Sequence, residues 1–459
     1  MHWFLALTMA VSMQAAEDLR VGRAAVVITP EAGVPLAGYY STRFANGVHD
    51  DLQAKAIVIA TGDRRVALVA CDLIGLPPAV LEEARRIAAA KSGIPEGNIM
   101  ISATHTHTGP LMMGGGARDA AYGGTLPAAQ KYLSELPSKI AESITSAVHD
   151  LQPAKMSAGR GQETSISFNR RFFMKDGSVG WNAGKLNPNI VRPAGPVDPD
   201  VSVLYFENAS TGEALATYVN FALHLDTVGG QEISADYPAT LSSILSKVKG
   251  PRMLTVFTNA ACGNINHIDV STKRPQKGNE EAAQIGTVLA GEVIKTYARL
   301  EPAAPVTANV RSRTLALPPA AIQSGDQARA RQIATSLESG GKATFLDTVF
   351  AYKVLDVVDR KGKAYDAEVQ VVALTRDIAI VALPGEIFTE LGMAIKKSSP
   401  FPMTIVVELA HGPTTYFPNE AAVPQGNYEV VTSRVAAGSG ERLVDAAQKL
   451  LAEAHAAQR

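Results

Sequence analysis

Cysteine is scarce in this chain: two residues, Cys71 and Cys262, in 459. Both stand at the ends of apolar runs and leave three readings open. They are a disulfide if their strands are neighbours in an oxidising compartment, a pair of buried free thiols, or a nucleophilic Cys262 ahead of a tight Gly263 turn. An excess of charge of one sign is lacking too, since 43 Lys and Arg stand against 44 Asp and Glu. The formal charge of -1 offers no field for steering toward nucleic acid or anionic lipid, and neither is expected as a partner. Beyond the amino terminus no run reaches the ~18 apolar residues of a membrane span. No internal repeat of roughly 20 to 50 residues is present to suggest a solenoid. The signature of disorder is also missing: 46% apolar and 19% charged side chains are enough to bury a large core.

The amino terminus carries an address. Trp3 to Met13 is an apolar stretch of signal-peptide length, followed by Gln14-Ala15-Ala16 and the charged pair Glu17-Asp18. The expectation is a signal peptide over residues 1–16, one domain over 17–459, and a periplasmic or secreted protein that is soluble once cleaved. A buried first helix is the competing reading.

From Val26 to Leu300 extended apolar runs alternate with helical stretches, which predicts an α/β fold of mixed sheets flanked by helices. Pro78 to Ala90 is the clearest helix, with Leu81, Ala84, Ile87 and Ala88 on one face and Ser92-Gly93 ending it. Others are expected at Pro127 to Leu151, Pro238 to Lys249, Asn279 to Leu300, Asp326 to Ser339, Ile387 to Lys397 and Gly440 to Ala456. The segment Ala303 to Val372 reads as strand-rich with one helix, packed on the same domain. Leu111 to Tyr122 and Phe173 to Pro199 read as long loops, candidates for substrate contact or a lid.

Five apolar runs matter most, because each is followed by a residue able to do chemistry. Ile99-Met100-Ile101 leads to Thr104-His105-Thr106-His107, Ala214 to Leu223 leads to His224, and Met253 to Phe257 leads to Cys262-Gly263-Asn264. Ile378 to Leu383 leads to Glu386, and Ile405 to Leu409 leads to Tyr416. Short runs ending in Gly/Pro-marked turns read as buried strands, and ligands of open α/β sheets collect beyond the carboxyl ends of such strands. His, His, Glu and Tyr delivered to one edge would suit a catalytic zinc ion (Zn2+), which takes nitrogen and oxygen ligands and keeps a position open. Iron or manganese remain compatible with the same donors. Alternate histidines on an extended segment share a face, although a turn after Thr104 would aim only one of them at a metal. His49, His267 and His411 are expected in structural or supporting roles.

The stretch Ser102-Ala103-Thr104-His105-Thr106-His107-Thr108-Gly109-Pro110 resembles the motif of the neutral, non-lysosomal ceramidases, zinc-dependent amidases that cleave the N-acyl bond of ceramide. The resemblance runs from Val26-Val27-Ile28-Thr29-Pro30 to Tyr428. It implies that His105, His224, Glu386 and Tyr416 are metal ligands and His107 a catalytic or substrate-contacting histidine. It further implies that Tyr428 assists the reacting carbonyl and that Arg170, in Asn169-Arg170, faces the substrate. One departure is plain: in Ala261-Cys262-Gly263-Asn264-Ile265-Asn266-His267, Asn266 stands where the family's serine nucleophile belongs, and an amide cannot replace an activated hydroxyl. Attack by zinc-activated water is the chemistry then expected, with Arg170 and Asn266 holding the substrate. The chain also ends soon after Ala456, without the immunoglobulin-like domain of longer family members. The expected partner is therefore a small-molecule or lipid amide, smaller or more polar than ceramide being admissible. A hydrolase using Cys262, and a catalytically silent metal-containing binding protein, are the alternatives.

Overall fold

The computed structural model describes residues 19–112, 115–303, 305–412 and 414–458; the expected signal peptide over 1–16 lies outside them. Among the described residues a nine-stranded sheet and a four-stranded sheet form the centre of the molecule. The large sheet runs in the order Leu254–Asn259, Ala214–Phe221, Asp200–Asn208, Gln152–Gln162, Arg20–Val27, Gln53–Thr61, Arg64–Cys71 and Ile99–Ala103, with Glu301–Pro302 beside Gln152–Gln162. The smaller sheet runs Asn309–Leu317, Tyr365–Ala373, Ile378–Ala382, Met403–Val407.

Alternation along the strands decides the layers. In Arg64–Cys71, Val66, Leu68 and Ala70 face one core while Ala67, Val69 and Cys71 face another, as a period of two requires. The first core lies between the sheets, where Ile57, Met100, Phe206 and Tyr218 of the large sheet meet Val372, Ile380 and Ile405 of the small one. Helices cover the outer faces. Pro78–Ser92 and Pro127–His149 cover one half of the large sheet, and Tyr237–Lys249 and Asn279–Tyr297 cover the other. Thr389–Ser398 and Ser439–Ala456 cover the small sheet.

Most strand pairs in these sheets are antiparallel, and the three parallel pairs are the ones that build the site. Arg64–Cys71 with Ile99–Ala103, Ala214–Phe221 with Leu254–Asn259, and Ile378–Ala382 with Met403–Val407 are each joined through a helix. Such strands are buried on both faces, which is why they read as unbroken apolar runs. All three units bring their carboxyl ends together: Asn259 Nδ2 donates to Thr104 O at 2.8 Å, Glu408 N to Asn259 O at 3.1 Å, and Ala103 N to Leu409 O at 3.1 Å.

Two sequence expectations are corrected. The segment after Ala303 carries two helices, Asp326–Glu338 and Phe345–Asp359. The second is rich in aromatic and β-branched residues, so its intrinsic preference favours a strand; packing of Ala351 and Val354 on Ala330 overrides it. Its start was marked, since Thr344 accepts from Asp347 N as a helix cap does. The helix expected from Ile387 begins instead at Thr389, because Glu386–Ile387 pairs in parallel with Tyr416–Phe417.

Candidate functional site

His105 is placed by a turn, not by a continued strand. The strand ends at Ala103, and His105 takes a left-handed backbone (φ 77) while its N–H donates to Leu73 O at 2.8 Å. A non-glycine residue in that region stores strain and is often found at functional sites. The turn does not separate the two histidines of the motif: the rings of His105 and His107 are 5.0 Å apart and those of His105 and His224 are 4.7 Å apart. The three histidines offer ligand atoms all within 4.8 Å of one another.

The tautomers follow from the hydrogen bonds. His105 Nδ1 lies 2.6 Å from Ile74 O and His224 Nδ1 lies 3.0 Å from Cys262 O. A backbone carbonyl only accepts, so each Nδ1 is assigned a proton, and in the neutral ring Nε2 presents a lone pair. Both Nε2 atoms face the same carboxylate oxygen, Glu386 Oε2, at 3.3 and 3.1 Å. Among the described residues that buried oxygen has no hydrogen-bond partner. Burial and the nearby Arg170 push His224 down to about 3. Burial also opposes charge on His105, but Glu386 outweighs it and holds that imidazole above its ordinary value. Burial pulls Glu386 upward and the two histidines override it, leaving its carboxyl well below the usual range. Two imidazole nitrogens and a carboxylate converging in a buried site are a donor set that a divalent cation satisfies.

Tyr416 completes the cluster. Its pairing with Glu386 brings the hydroxyl to 3.4 Å from His224 Nε2. Arg170 Nη2 donates to Tyr416 Oη at 3.1 Å and to Gly263 O at 2.7 Å, and Arg170 Nε donates to Glu429 Oε1 at 2.9 Å. The expected substrate-facing arginine is thus largely committed to protein partners. Tyr428 packs against Tyr416 with ring centroids 5.5 Å apart, and against Trp181 and Phe345 at 4.6 and 5.4 Å. The segment Phe173 to Pro199, expected as a long loop, instead carries a small antiparallel sheet of Arg171–Met174, Val179–Trp181 and Ile190–Pro193, whose Trp181 reaches the site's edge. Within Leu111 to Tyr122, residues 113 and 114 lie outside the described residues; Ala117–Ala121 is a short helix.

His107 has its own partner. Its Nδ1 lies 3.2 Å from Asp226 Oδ1, close enough for attraction but not aligned as a hydrogen bond, and among the described residues neither ring nitrogen has another partner. The Tyr39 hydroxyl donates to the same carboxylate. Burial would raise Asp226, but His107 and Tyr39 hold it below the ordinary range. The backbone must pass close here: a Cβ on Gly38 (φ 103) would lie 2.7 Å from His107 Cβ.

Asn266 stands apart from the cluster's hydrogen bonds. Its Nδ2 donates to Asn182 Oδ1 at 2.8 Å and its Oδ1 accepts from Ile268 N at 3.0 Å, so the amide braces its own turn. The Cys262 nucleophile reading is overturned: the thiol is fully buried and donates to Glu408 Oε1 at 2.9 Å. Burial, reinforced by Glu408, pushes it well above the range of a reactive thiol. Cys71 and Cys262 are both free and belong to different cores. His49 pairs with Asp50, His267 with Gln276 O, and His411 with Arg85 and Gln370. Asp226, Glu408 and Glu429 were not singled out from sequence. For Glu408 a signal existed, a lone carboxylate inside the apolar run Ile405 to Leu409.

Residues 19–264 match the family described as neutral/alkaline non-lysosomal ceramidase, N-terminal. A neutral ceramidase of Pseudomonas aeruginosa is 34% identical over 226 residues, 47% of this chain and 32% of that protein. One of Mycobacterium tuberculosis is 34% identical over 164 residues, 33% of this chain and 25% of that protein. The matched stretches thus span a third or less of these curated relatives. The crystal structure of neutral ceramidase from Pseudomonas aeruginosa superposes with a TM-score of 0.74 at 21% identity, covering 95% of this chain and 75% of that one. A ceramidase complexed with C2 gives 0.71 at 19%, covering 96% and 75%. Both share the fold.

Proposed function

The chain belongs to the neutral/alkaline non-lysosomal ceramidase family, and on that footing we propose that it is an exported, zinc-dependent hydrolase of linear N-acyl amides, from ceramide-like lipids to smaller acyl compounds. The observation that carries this reading is the convergence of His105 Nε2 and His224 Nε2 on the buried Glu386 Oε2, at 3.3 and 3.1 Å. His105, His224, Glu386 and Tyr416 would hold the cation, and nitrogen and oxygen donors favour zinc. A zinc ion held there supplies Lewis acidity and brings the pKa of water to about 7.

The remaining residues divide the work. The Asp226 carboxylate lies 3.2 Å from His107 Nδ1 and attracts that side of the imidazole, leaving Nε2 to accept and return a proton beside the reacting bond. Tyr428, next to Tyr416, donates its hydroxyl hydrogen to the substrate carbonyl oxygen. Trp181 and Phe345 continue the Tyr428 face outward and exclude water from the acyl side. Arg170 holds Tyr416 and the Gly263 turn in place. With Asn266 at the serine's position, water is the nucleophile.

The test is turnover of a panel from ceramide to short acyl amides, by the mature protein, before and after chelation and return of zinc. Turnover that disappears and returns with zinc supports the reading. Stoichiometric zinc with no turnover on any member would favour a silent binding protein instead. Export is tested separately, by amino-terminal sequencing of protein recovered outside the cytoplasm, with Glu17 expected first.

A further inference from the structure

Behind the histidine cluster lies a second buried carboxylate that the proposed chemistry does not use. Glu408 is fully buried at the end of Met403–Val407. Its Oε2 accepts from Cys262 N at 3.1 Å and from Ile387 N at 2.8 Å, and its Oε1 accepts from the Cys262 thiol at 2.9 Å. Burial pushes the group upward, while the Cys262 thiol and the two backbone N–H groups favour the ionised form that accepts from them.

The three donors belong to two turns that carry the cluster. Ile387 follows Glu386 directly. Cys262 supplies the carbonyl that fixes His224 through Nδ1. The third turn is tied through the backbone: Glu408 N donates to Asn259 O, and Asn259 Nδ2 donates to Thr104 O, immediately before His105. One side chain and its own amide thus link the turns bearing all three converging groups.

We propose that Glu408 is the positioning residue of the metal site, clamping the Cys262 and Ile387 turns so that His224 Nε2 and the Glu386 carboxylate meet at one point, with the Cys262 thiol serving as its donor. The inference rests on the metal-site reading above. Groups one step removed from a metal orient its ligands, and their loss typically lowers affinity roughly 10- to 100-fold. The buried thiol, unfit as a nucleophile, acquires a role as a hydrogen-bond donor. That role also separates serine from alanine as its replacement, since only a hydroxyl still donates.

Zinc affinity, measured by competition with a chromophoric chelator on folded protein, tests the proposal without reference to turnover. Glu408→Gln keeps the shape but offers one carboxamide oxygen where two carboxylate oxygens accepted. It is expected to bind zinc roughly 10- to 100-fold more weakly with an unchanged far-UV spectrum. Cys262→Ala is expected to bind several-fold more weakly than wild type, and Cys262→Ser to recover most of that loss. A folded Glu408→Gln protein with wild-type zinc affinity would overturn the proposal. Should that variant fail to fold, wild-type affinity in Cys262→Ala would do so. Wild-type protein that binds no zinc at all would sink the metal-site reading and not this one specifically.

Discussion

His224 Nε2 and Glu386 Oε2 face each other at 3.1 Å with no proton to join them, since the imidazole proton is held on Nδ1 by Cys262 O. Such a contact is repulsive unless a cation lies between the two lone pairs. Zinc should therefore stabilise the folded protein by mass action. At free zinc about 1,000 times the Kd the gain is about 4 kcal/mol, read as a shift between denaturation curves with zinc and with chelator. His224→Ala should remove the shift, and identical curves for wild type in the two conditions would contradict the assignment.

Arg170, Arg171 and Glu429 form a buried triad, with side-chain exposures of 5%, 2% and 0%. Glu429 is the sole anion of the three, so Glu429→Ala leaves two buried cations without it. A cost of about 3–5 kcal/mol is expected. Arg170→Ala should cost less, because Arg171 Nη1 still donates to Glu429 Oε2 at 2.8 Å. Urea unfolding of both variants checks the order, and the reverse ranking would show that the triad is not what holds Tyr416 in place.

Gly263 has no room for a side chain. A Cβ there would lie 2.7 Å from Glu386 O and 2.9 Å from Glu386 C, and backbone cannot swing aside as a flexible side-chain end can. Gly263→Ala should cost about 1–3 kcal/mol and displace Glu386, so zinc affinity should fall together with stability. A variant destabilised but still binding zinc normally would place the strain elsewhere.

His411 is buried between Arg85 and the Gln370 oxygen, and burial with the adjacent guanidinium holds it well below its ordinary 6.5. Between the depressed folded value and 6.5 the unfolded chain binds a proton that the folded chain refuses. Stability from this group is therefore complete above about pH 6.5 and declines as pH falls below it, by about 1.4 kcal/mol per unit. His411→Asn tolerates the left-handed backbone (φ 45) and should flatten that part of the profile. Equal slopes for the variant and wild type between pH 5 and 6.5 would refute the assignment.

Much of the site was legible because strands buried on both faces print as unbroken apolar runs, and His105, His224, Glu386 and Tyr416 each follow one. What the sequence could not show is pairing at a distance. The meeting of Glu386 with Tyr416 depends on a two-residue parallel bridge, too short to leave a pattern and one that moves the start of an expected helix from Ile387 to Thr389. Asp226 and Glu429 gain meaning only from His107 and the two arginines, 119 and 258 positions away for the nearest contacts. Asn266 shows the opposite case: its position suggested substrate contact, but both ends of its amide are taken by neighbours that sequence does not reveal. The helix Phe345–Asp359 was hidden by composition, since aromatic and β-branched side chains favour strands until a partner helix buries them.

The most direct measurement is anomalous scattering at the zinc edge from crystals of the mature protein after zinc is returned to it. A single peak about 2.0–2.2 Å from His105 Nε2, His224 Nε2 and a Glu386 oxygen is the expected result. Zinc bound elsewhere, or no peak in protein whose fold is intact, would contradict the metal centre on which the proposed hydrolysis depends.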